Sequence, residues 1–290
     1  MRSLLILIKH KFLILSWFLV KKDKPLDFYG EAVISIAARW HGEMSPMNTY
    51  HALFDVLRQR GFTGTLLELG GGYSTILAKE LFDDRLVKLT SVDFNPEKYH
   101  RILNSKKNSV NFFKTIDTIN EITVSFEEVQ KALEEIVNRL LGYAEDEVRL
   151  CVLKFINNVQ FSDEFAAYIK KNDSEAICRA VTEHDGFTSE IPFYKKFDAM
   201  TGEGACSRIA ASETSINAVF FDCGEASSFA EFFALESRLK TGSYVLLHDI
   251  YFPKSIKNFL LAALLSLDPT WDVLYQDSIS EQGGLVAIKL

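Results

Sequence analysis

Short apolar runs alternate with amphipathic segments along the chain from residue 63 onward. The runs have the length and composition of strands that are buried on both faces of a sheet, and they are Thr65–Leu69, Leu86–Val92, Val110–Ile116, Ala218–Asp222 and Tyr244–His248. The neighbouring segments have apolar residues at helical spacing and predict helices at Pro46–Arg60, Thr75–Leu81, Pro96–Asn104, Ala226–Leu239 and Lys254–Leu265. Strands that alternate with helices predict an α/β fold built on a parallel sheet.

The last two apolar runs, Trp271–Tyr275 and Leu285–Leu290, are connected differently from the others. The turn between them, Ser280–Gly284, leaves no room for a crossover helix, so we expect this pair to be antiparallel. The expected fold is a doubly wound, seven-stranded sheet with an antiparallel last strand.

Between about Thr118 and Ser212 the strand pattern gives way to a helical one. Ser125 and Glu128 form a capping-box signature, after which apolar residues keep helical spacing as far as Leu140. So long an interval between two strands predicts a helical insertion, which is expected to cap the ligand crevice at the carboxyl ends of the strands. The chain then divides into an N-terminal tail (1–24), a first half of the core (25–117), the insertion (118–212) and a second half of the core (213–290).

The charge and cysteine content exclude several classes of function. The chain has 32 basic and 39 acidic residues, and the net charge of −7 argues against nucleic acid as a partner. Its four cysteines are scattered, with neither metal-ligand spacing nor a disulfide framework, so we expect a reducing, cytoplasmic location.

The first 24 residues have a charge of the opposite sign, because six lysine and arginine residues against Asp23 give +5. Their apolar runs, Leu4–Ile8 and Phe12–Val20, are each too short to span a bilayer. The segment either packs on the domain or lies on the inner face of the membrane with its lysines at anionic headgroups. The positive charge favours peripheral membrane contact.

The run Gly70-Gly71-Gly72 follows the first predicted strand and precedes a helix. Glycine permits positive φ and removes the Cβ that would keep a ligand from the backbone. The helix start at Tyr73 and Ser74 offers N–H groups and hydroxyls to an anionic group. Glu68, near the end of the strand, would repel a pyrophosphate and suits a ligand with a cationic end.

Asp93 lies at the tip of the second predicted strand, 25 residues after Glu68. A carboxylate at this position can accept hydrogen bonds from both hydroxyls of a ribose. Its alternative role is the N-cap of the helix predicted at Pro96. The distance from the glycine turn favours the ribose.

These segments, ELGGGYST and SVDFNPEKYHRI, resemble motifs I and II of class I S-adenosylmethionine-dependent methyltransferases, whose fold is Rossmann-like. FFDCG and LKTGSYVLLHDI resemble the fourth and fifth strands of small-molecule O-methyltransferases, and the end of the chain resembles their antiparallel strand pair. The resemblance covers residues 45–117 and 213–290. It implies that Gly70, Gly72 and Ser74 line the methionine end of the cofactor, that Asp93 binds its ribose and that Asp117 contacts its adenine.

The metal-dependent branch of that family holds Mg²⁺ with an aspartate after strand four and an Asp-Asn pair after strand five. The resemblance places Asp222 and Asp249 at the two aspartates, whereas Ile250 replaces the amide ligand. The lysine base of the branch is also missing, and Glu225 stands at the corresponding point.

His248 offers an alternative base, because the ordinary pKa of histidine lies near neutral pH. Side chains alternate along a strand, so His248 and Asp249 are expected to face opposite sides of the sheet, with one of them structural. Metal-assisted and histidine catalysis are both left open.

The expected reaction is transfer of the methyl group of S-adenosylmethionine to a hydroxyl of a small molecule or sugar. A catalytically silent, cofactor-binding relative is an alternative, since the lysine and the amide ligand are missing. A nicotinamide-dependent oxidoreductase shares the glycine turn and the ribose acid but normally has spaced glycines. The apolar segment Phe259–Leu267 is interpreted as core packing or as the face of a homodimer.

Overall fold

The computed structural model describes residues 46–82, 85–95, 116–119, 121–156, 162–201, 203–252, 255–277 and 282–290. The strands of this part are β1 (Gly64–Leu69), β2 (Leu86–Val92), β3 (Ile116–Ile119), β4 (Ile216–Phe221), β5 (Leu239–His248), β6 (Trp271–Gln276) and β7 (Gly284–Lys289). The helices are α1 (Pro46–Gln59), α2 (Tyr73–Phe82), α3 (Phe126–Leu141), α4 (Glu145–Lys154), α5 (Ser162–Lys171), α6 (Ser174–Thr182), α7 (Asp185–Thr201), α8 (Ala205–Ser212), α9 (Ser228–Leu235) and α10 (Phe259–Leu267).

The strands form one sheet in the order β3-β2-β1-β4-β5-β7-β6. Strands β1 to β5 run parallel, and β7 is antiparallel to both of its neighbours, β5 and β6. The predicted class, a doubly wound parallel sheet with an antiparallel strand at the end of the chain, is confirmed. The strand order reverses direction between β1 and β4, which is where open α/β sheets bind their ligands.

Both faces of the sheet are covered, which explains the apolar runs Ala218–Phe221 of β4 and Tyr244–Leu247 of β5. Alternate residues of β1 point to opposite faces: Leu66 packs with Phe54 of α1 and Leu77 of α2, whereas Leu67 and Leu69 belong to the core on the other face. That second core contains most of the buried residues of the helices between β3 and β4.

The helices between β3 and β4 pack as part of the domain. Helix α3 begins with the predicted capping box, in which the Ser125 side chain accepts from the Glu128 amide and the Glu128 side chain accepts from the Ser125 amide. Its buried stripe, which includes Val129 and Ile136, packs on α9 and α10. Helix α7 reaches from this layer to the carboxyl edge of the sheet, where Gly224 follows β4.

The apolar segment Phe259–Leu267 is core. It forms α10, in which every residue from Phe259 to Leu265 is at most 2% exposed, packed against α3 and α4. Its apolar surface is therefore used within the chain and does not form a dimer face. A homodimer built on another surface stays a prediction.

The third strand lies later in the chain than predicted. The expected run was Val110–Ile116, whereas β3 begins at Ile116 and ends at Ile119, which pairs with Val92. Ile119 pairs with Val92, the last residue of β2, so the two parallel strands end at the same level of the sheet. The helix predicted at Pro96–Asn104 and the tail 1–24 lie outside the described residues.

Among the helices that are described, none combines the length and apolar character that crossing a bilayer requires.

Candidate active site

A cavity of about 320 Å³ lies at the carboxyl ends of β1, β2 and β4. Its wall from the sheet includes Gly70 after β1, Asp93 after β2 and Asp222 after β4, and the opposite wall comes from α7. The described residues that line it are Gly70, Asp93, Phe94, Ile122, Thr123, Ser189, Glu190, Phe193, Tyr194, Asp222, Cys223 and Gly224. The cavity therefore brings together the first glycine of the predicted turn, the predicted ribose acid and one predicted metal ligand, whereas Gly71, Gly72 and Ser74 are not among its lining residues.

The first glycine of the turn is required by the fold itself. Gly70 has φ +93°, a left-handed conformation that favours glycine, and its amide donates to the carbonyl of Val92. A Cβ at Gly70 would overlap the carbonyl of Asp222 and lie 2.9 Å from the amide nitrogen of Cys223. A side chain here would thus disturb the packing of β1 on β4 before it met any ligand. A Cβ at Gly72, by contrast, would meet no atom within 4 Å.

Glu68 braces the glycine turn from beneath. It is 1% exposed, and its carboxylate accepts hydrogen bonds from the hydroxyls of Ser74 at 2.5 Å, Ser91 at 2.7 Å and Thr75. Burial raises the pKa of Glu68 to about 7, although these hydroxyls oppose the shift. The expectation that Glu68 meets the cationic end of a ligand is corrected, because its oxygens are engaged by the start of α2. The Ser74 hydroxyl is likewise directed at Glu68.

Asp93 is 2% exposed and lies on the cavity wall, at the position expected for the ribose acid. Its Oδ1 accepts from the amide of Asn95 at 2.8 Å, which fixes the turn after β2, and its own amide donates to the carbonyl of Ile119. The helix predicted at Pro96 lies outside the described residues, so the alternative role of Asp93 as its N-cap stays a prediction. Nothing is described of the Tyr73 side chain, although its backbone begins α2.

Asp117 does not lie just past the third strand. It is the second residue of β3, opposite Thr90, and its side chain is outside the described part of the chain. The residues that follow β3 and line the cavity are Ile122 and Thr123, which the sequence analysis missed. Because β3 ends at Ile119 and not at Ile116, the carboxyl edge of the strand lies at this point.

One face of α7 supplies the opposite wall of the cavity. Ser189, Glu190, Phe193 and Tyr194 are spaced i, i+1, i+4 and i+5 and so share one side of the helix. Their helical spacing could have indicated a shared face in the sequence. Aromatic residues between helices are more often buried in the core, however, so this stretch did not stand out as part of a site. Phe187 is core, since it is buried and stacks on Phe229.

Asp222 belongs to a buried cluster of ionisable side chains beside the cavity. Its Oδ1 lies 2.9 Å from Lys257 Nζ and 3.1 Å from His248 Nδ1, and its Oδ2 accepts from the Tyr50 hydroxyl at 2.7 Å. Asp249 completes the group, with Oδ1 3.2 Å from His248 Nδ1 and Oδ2 3.0 Å from Lys257 Nζ. Two carboxylates and two basic groups thus share one site.

Asp249 is the one non-glycine residue with positive φ in the described part of the chain, at 61°. Strand alternation ends at this residue, so the Asp249 side chain turns back to the same site as His248. The prediction that these two side chains face opposite sides of the sheet is therefore wrong. Hydrogen bonds hold the strained conformation: the Asp249 amide donates to the carbonyl of Gly283, and its carbonyl accepts from the Asn258 amide.

His248 does not have the properties of a general base at neutral pH. Burial disfavours its protonation, but hydrogen bonds and charges from Asp222 and Asp249 outweigh burial and raise the pKa of His248 to about 9. The residue is 2% exposed, and its Nε2 has no hydrogen-bond partner among the described residues. These contacts and the burial of the ring disfavour the predicted role of His248 as a base.

Lys257, which the sequence analysis did not single out, is carried by the segment between β5 and α10. The predicted catalytic residue Glu225 braces this segment, accepting from the Ile256 amide at 3.0 Å and from the Ser255 hydroxyl. Burial raises the pKa of Glu225, although nearby Lys257 opposes the shift. Glu225 is thus a bracing residue, and Lys257 enters the cluster of Asp222 and Asp249 from the segment that it braces.

The residues of the cluster do not fit a bound Mg²⁺. Ligand atoms of Asp222, His248 and Asp249 lie within 4.8 Å of one another, a spacing that a metal could bridge. The ammonium of Lys257, however, already contacts one oxygen of each aspartate. Mg²⁺ requires near-octahedral oxygen ligands and usually retains several waters, which a site filled by a lysine and a histidine does not provide.

The raised pKa of His248 predicts that the stability of the protein falls as the pH rises from neutrality. The folded-state pKa of about 9 lies above the ordinary 6.5, so the stabilisation is fully present below about pH 6.5 and is lost as the pH passes 9. We expect the free energy of unfolding in urea to fall between pH 7 and 9.5. His248→Gln, which does not titrate, should flatten that slope; an equal slope in both proteins would contradict the assignment.

Comparison with known proteins leaves the family open. No protein-family model matches the chain, and no curated protein matches it either. Among solved structures it is similar to a putative caffeoyl-CoA O-methyltransferase from Staphylococcus aureus, at 11% identity and a TM-score of 0.46, covering 98% of this chain and 100% of that one. It is also similar to an O-methyltransferase from Bacillus cereus in complex with SAH, at 11% identity and a TM-score of 0.43 over 97% and 100% of the two chains. It is similar as well to a methyltransferase from Geobacter sulfurreducens, at 10% identity and a TM-score of 0.40, covering 94% of this chain and 93% of that one. At these values the likeness by itself assigns no activity to this chain.

Proposed function

We propose that this protein transfers the methyl group of S-adenosylmethionine to a hydroxyl of a small molecule. The observation that carries the proposal is the cavity at the carboxyl ends of β1, β2 and β4, where Gly70 and Asp93 share one wall. A glycine turn and an acid after the next strand, at the point where the strand order reverses, suit an adenosine-type ligand.

The charge of the cavity favours a cationic cofactor over a dinucleotide. The described residues that line it include neither lysine nor arginine, and they include the carboxylates of Asp93 and Glu190 in addition to Asp222, which is paired with Lys257 and His248. A pyrophosphate would meet unfavourable charge here, whereas a sulfonium would meet favourable charge. The nicotinamide-dependent alternative is disfavoured on this ground, in addition to its different glycine spacing.

S-adenosylmethionine supplies the activated methyl group, so the share of the protein is to position the acceptor, remove its proton and exclude water. Helix α7 closes the cavity on the side away from the sheet. Phe193 packs on Phe94 with ring centroids 4.7 Å apart, and the Tyr194 hydroxyl lies against Gly224 after β4. The proposed cap is this face of α7.

Glu190 is the proposed proton acceptor. Asp222 is held by Lys257, His248 and Tyr50, and Asp93 is assigned to the ribose. Glu190 lines the cavity from α7, and its Oε2 accepts from the Ala226 amide at 2.9 Å, which fixes the side chain at the cavity wall. A carboxylate oriented in this way can accept a hydrogen bond from an acceptor hydroxyl and take its proton as the methyl group transfers.

The cavity volume of about 320 Å³ lies in the range for small-molecule sites, roughly 300–1,000 Å³, and is assigned to the cofactor. The acceptor is therefore sought with a panel of compounds. A sugar hydroxyl fits the same chemistry, and the acceptor panel should therefore include phenols, catechols and free sugars. Turnover is measured as methyl transfer from labelled S-adenosylmethionine, and transfer to none of them would favour the silent alternative.

That alternative, a cofactor-binding protein without turnover, is favoured by one observation. Asp222 and Asp249, which the resemblance places at metal-ligand positions, and His248, the alternative base, are all engaged in the buried cluster with Lys257. Binding of S-adenosylhomocysteine together with full inactivity across the panel would identify it. Binding with turnover would exclude it.

Replacement of Asp93 tests the cofactor assignment. We expect Asp93→Asn to weaken S-adenosylmethionine binding ten- to about a hundredfold, the effect of losing roughly 1.5–3 kcal/mol of charged hydrogen bonding. Asparagine can still accept from the Asn95 amide, so the turn after β2 should persist. Asp272→Asn, an exposed substitution on β6, is the matched control in calorimetric titration. Unchanged affinity in Asp93→Asn would remove the ribose assignment.

The N-terminal tail is proposed to contact the inner face of the membrane peripherally, on the basis of its +5 charge and its two apolar runs. Deletion of residues 1–24 should leave a folded chain that binds S-adenosylhomocysteine and no longer co-sediments with anionic liposomes. A deletion that unfolds the protein would instead show that the tail packs on the domain.

A further inference from the structure

The buried cluster beside the cavity has a balanced charge. Asp222 and Asp249 contribute two negative charges, and all four of their oxygens lie within 3.2 Å of a basic group or of the Tyr50 hydroxyl. Lys257 and His248 each contribute one positive charge. The two basic side chains together therefore supply the charge that one divalent ion would bring to the same pair of carboxylates.

The position of the ammonium matches its charge. Lys257 Nζ lies 2.9 Å from Asp222 Oδ1 and 3.0 Å from Asp249 Oδ2, so it bridges the two aspartates. The side chains of the three residues are only 10–12% exposed, which leaves little access for the waters that a Mg²⁺ ion keeps. The ammonium lies where a bridging metal ion would bind.

The segment around Lys257 is held in place from both sides. The Lys257 amide donates to the Ser255 hydroxyl at 3.2 Å, and its carbonyl accepts from the Ser228 hydroxyl at 2.9 Å. The next residue, Asn258, donates from Nδ2 to the carbonyls of His248 and Phe221 at 2.5 and 3.2 Å, which ties the segment to the ends of β5 and β4. A lysine on so constrained a backbone is a fixed part of the site.

We infer that the ammonium of Lys257 takes the place of a divalent cation between Asp222 and Asp249, so that this site works without bound metal. Lys257 is a positioning residue, which acts by holding Asp222 at the cavity wall. The role of Lys257 in methyl transfer rests on the proposed function. The occupancy of the cation position by its ammonium does not depend on whether the protein turns over a substrate.

The experiment measures Mn²⁺ binding to the full chain by electron paramagnetic resonance. Wild type should bind no Mn²⁺ in this site at millimolar concentration. Lys257→Ala, which removes the ammonium and opens space, should bind one Mn²⁺ per chain and show a rise in Tm of several degrees on Mn²⁺ addition. Lys257→Met removes the charge but fills the space, and should gain neither. Adding Asp249→Asn to Lys257→Ala should abolish the gained binding.

Stoichiometric Mn²⁺ binding by wild type that is lost in Asp222→Asn would overturn the inference, as would a folded Lys257→Ala variant that binds none. If Lys257→Ala does not fold without metal, refolding should depend on added Mn²⁺, and refolding that is indifferent to Mn²⁺ would count against the inference. Titration of wild type with S-adenosylhomocysteine runs in parallel. Failure of that titration would remove the proposed function and leave the result on cation occupancy intact.

Discussion

Asp222→Ala is expected to lower the free energy of unfolding by about 3–5 kcal/mol, the cost of leaving buried charges without their partner. Asp222 contacts Lys257, His248 and Tyr50 within 3.1 Å. Its loss leaves two basic groups facing Asp249 alone in a site with little access to water. Burial opposes ionisation of Asp222, but Lys257 and His248 outweigh it and hold the pKa of Asp222 below its ordinary value.

Urea unfolding near pH 7 measures this effect. Asp272→Ala, an exposed aspartate replacement on β6, is the control and should change the free energy of unfolding by no more than about 0.5 kcal/mol. Asp222→Asn keeps an acceptor for the Tyr50 hydroxyl and should fall between wild type and Asp222→Ala. A loss of less than about 1 kcal/mol in Asp222→Ala would show that the cluster does not stabilise the fold as described.

Glu190→Gln is expected to lower kcat by about 10²- to 10⁴-fold, the range associated with loss of a general base. Glutamine keeps the shape of the side chain and an oxygen that can accept from the Ala226 amide, so α7 should stay in place. The affinity for S-adenosylhomocysteine should be unchanged, because Glu190 is assigned to the acceptor hydroxyl. The measurement is steady-state methyl transfer to an acceptor that the wild-type protein methylates.

The matched control for Glu190 is Glu134→Gln, an exposed position on α3 of the same inserted segment. It should leave kcat within about twofold of wild type, since it lies on the solvent face of its helix. If Glu190→Gln retained full activity, the proton would leave by another route and the assignment to Glu190 would be withdrawn. A fall in cofactor affinity without a fall in kcat would also contradict it.

The fold was predictable from the sequence because burial on both faces leaves a simple pattern. Strands such as Ile216–Phe221 are apolar at all but one position, and helices between them carry an apolar stripe. The position of the third strand was predicted wrongly because only four residues, Ile116–Ile119, pair with β2. An apolar run earlier in the same stretch fitted the strand pattern better than the residues that form it.

The candidate site was predictable only where a ligand-facing residue sits directly after a strand. Gly70, Asp93 and Asp222 all obey that rule and all line the cavity. The ion cluster was not predictable, because it depends on Lys257 from a segment with no periodic pattern. It also depends on the positive φ of Asp249, which local sequence does not specify. The raised pKa of His248 follows from its contacts with Asp222 and Asp249, which the sequence alone does not bring together.

The central claim, that the cavity between the glycine turn, Asp93 and α7 binds S-adenosylmethionine, is tested most directly by calorimetric titration of the full chain with S-adenosylhomocysteine and, separately, with NAD. The account predicts saturable binding of one S-adenosylhomocysteine per chain, weakened ten- to about a hundredfold in Asp93→Asn, and no saturable binding of NAD. Saturable binding of NAD without binding of S-adenosylhomocysteine would contradict it.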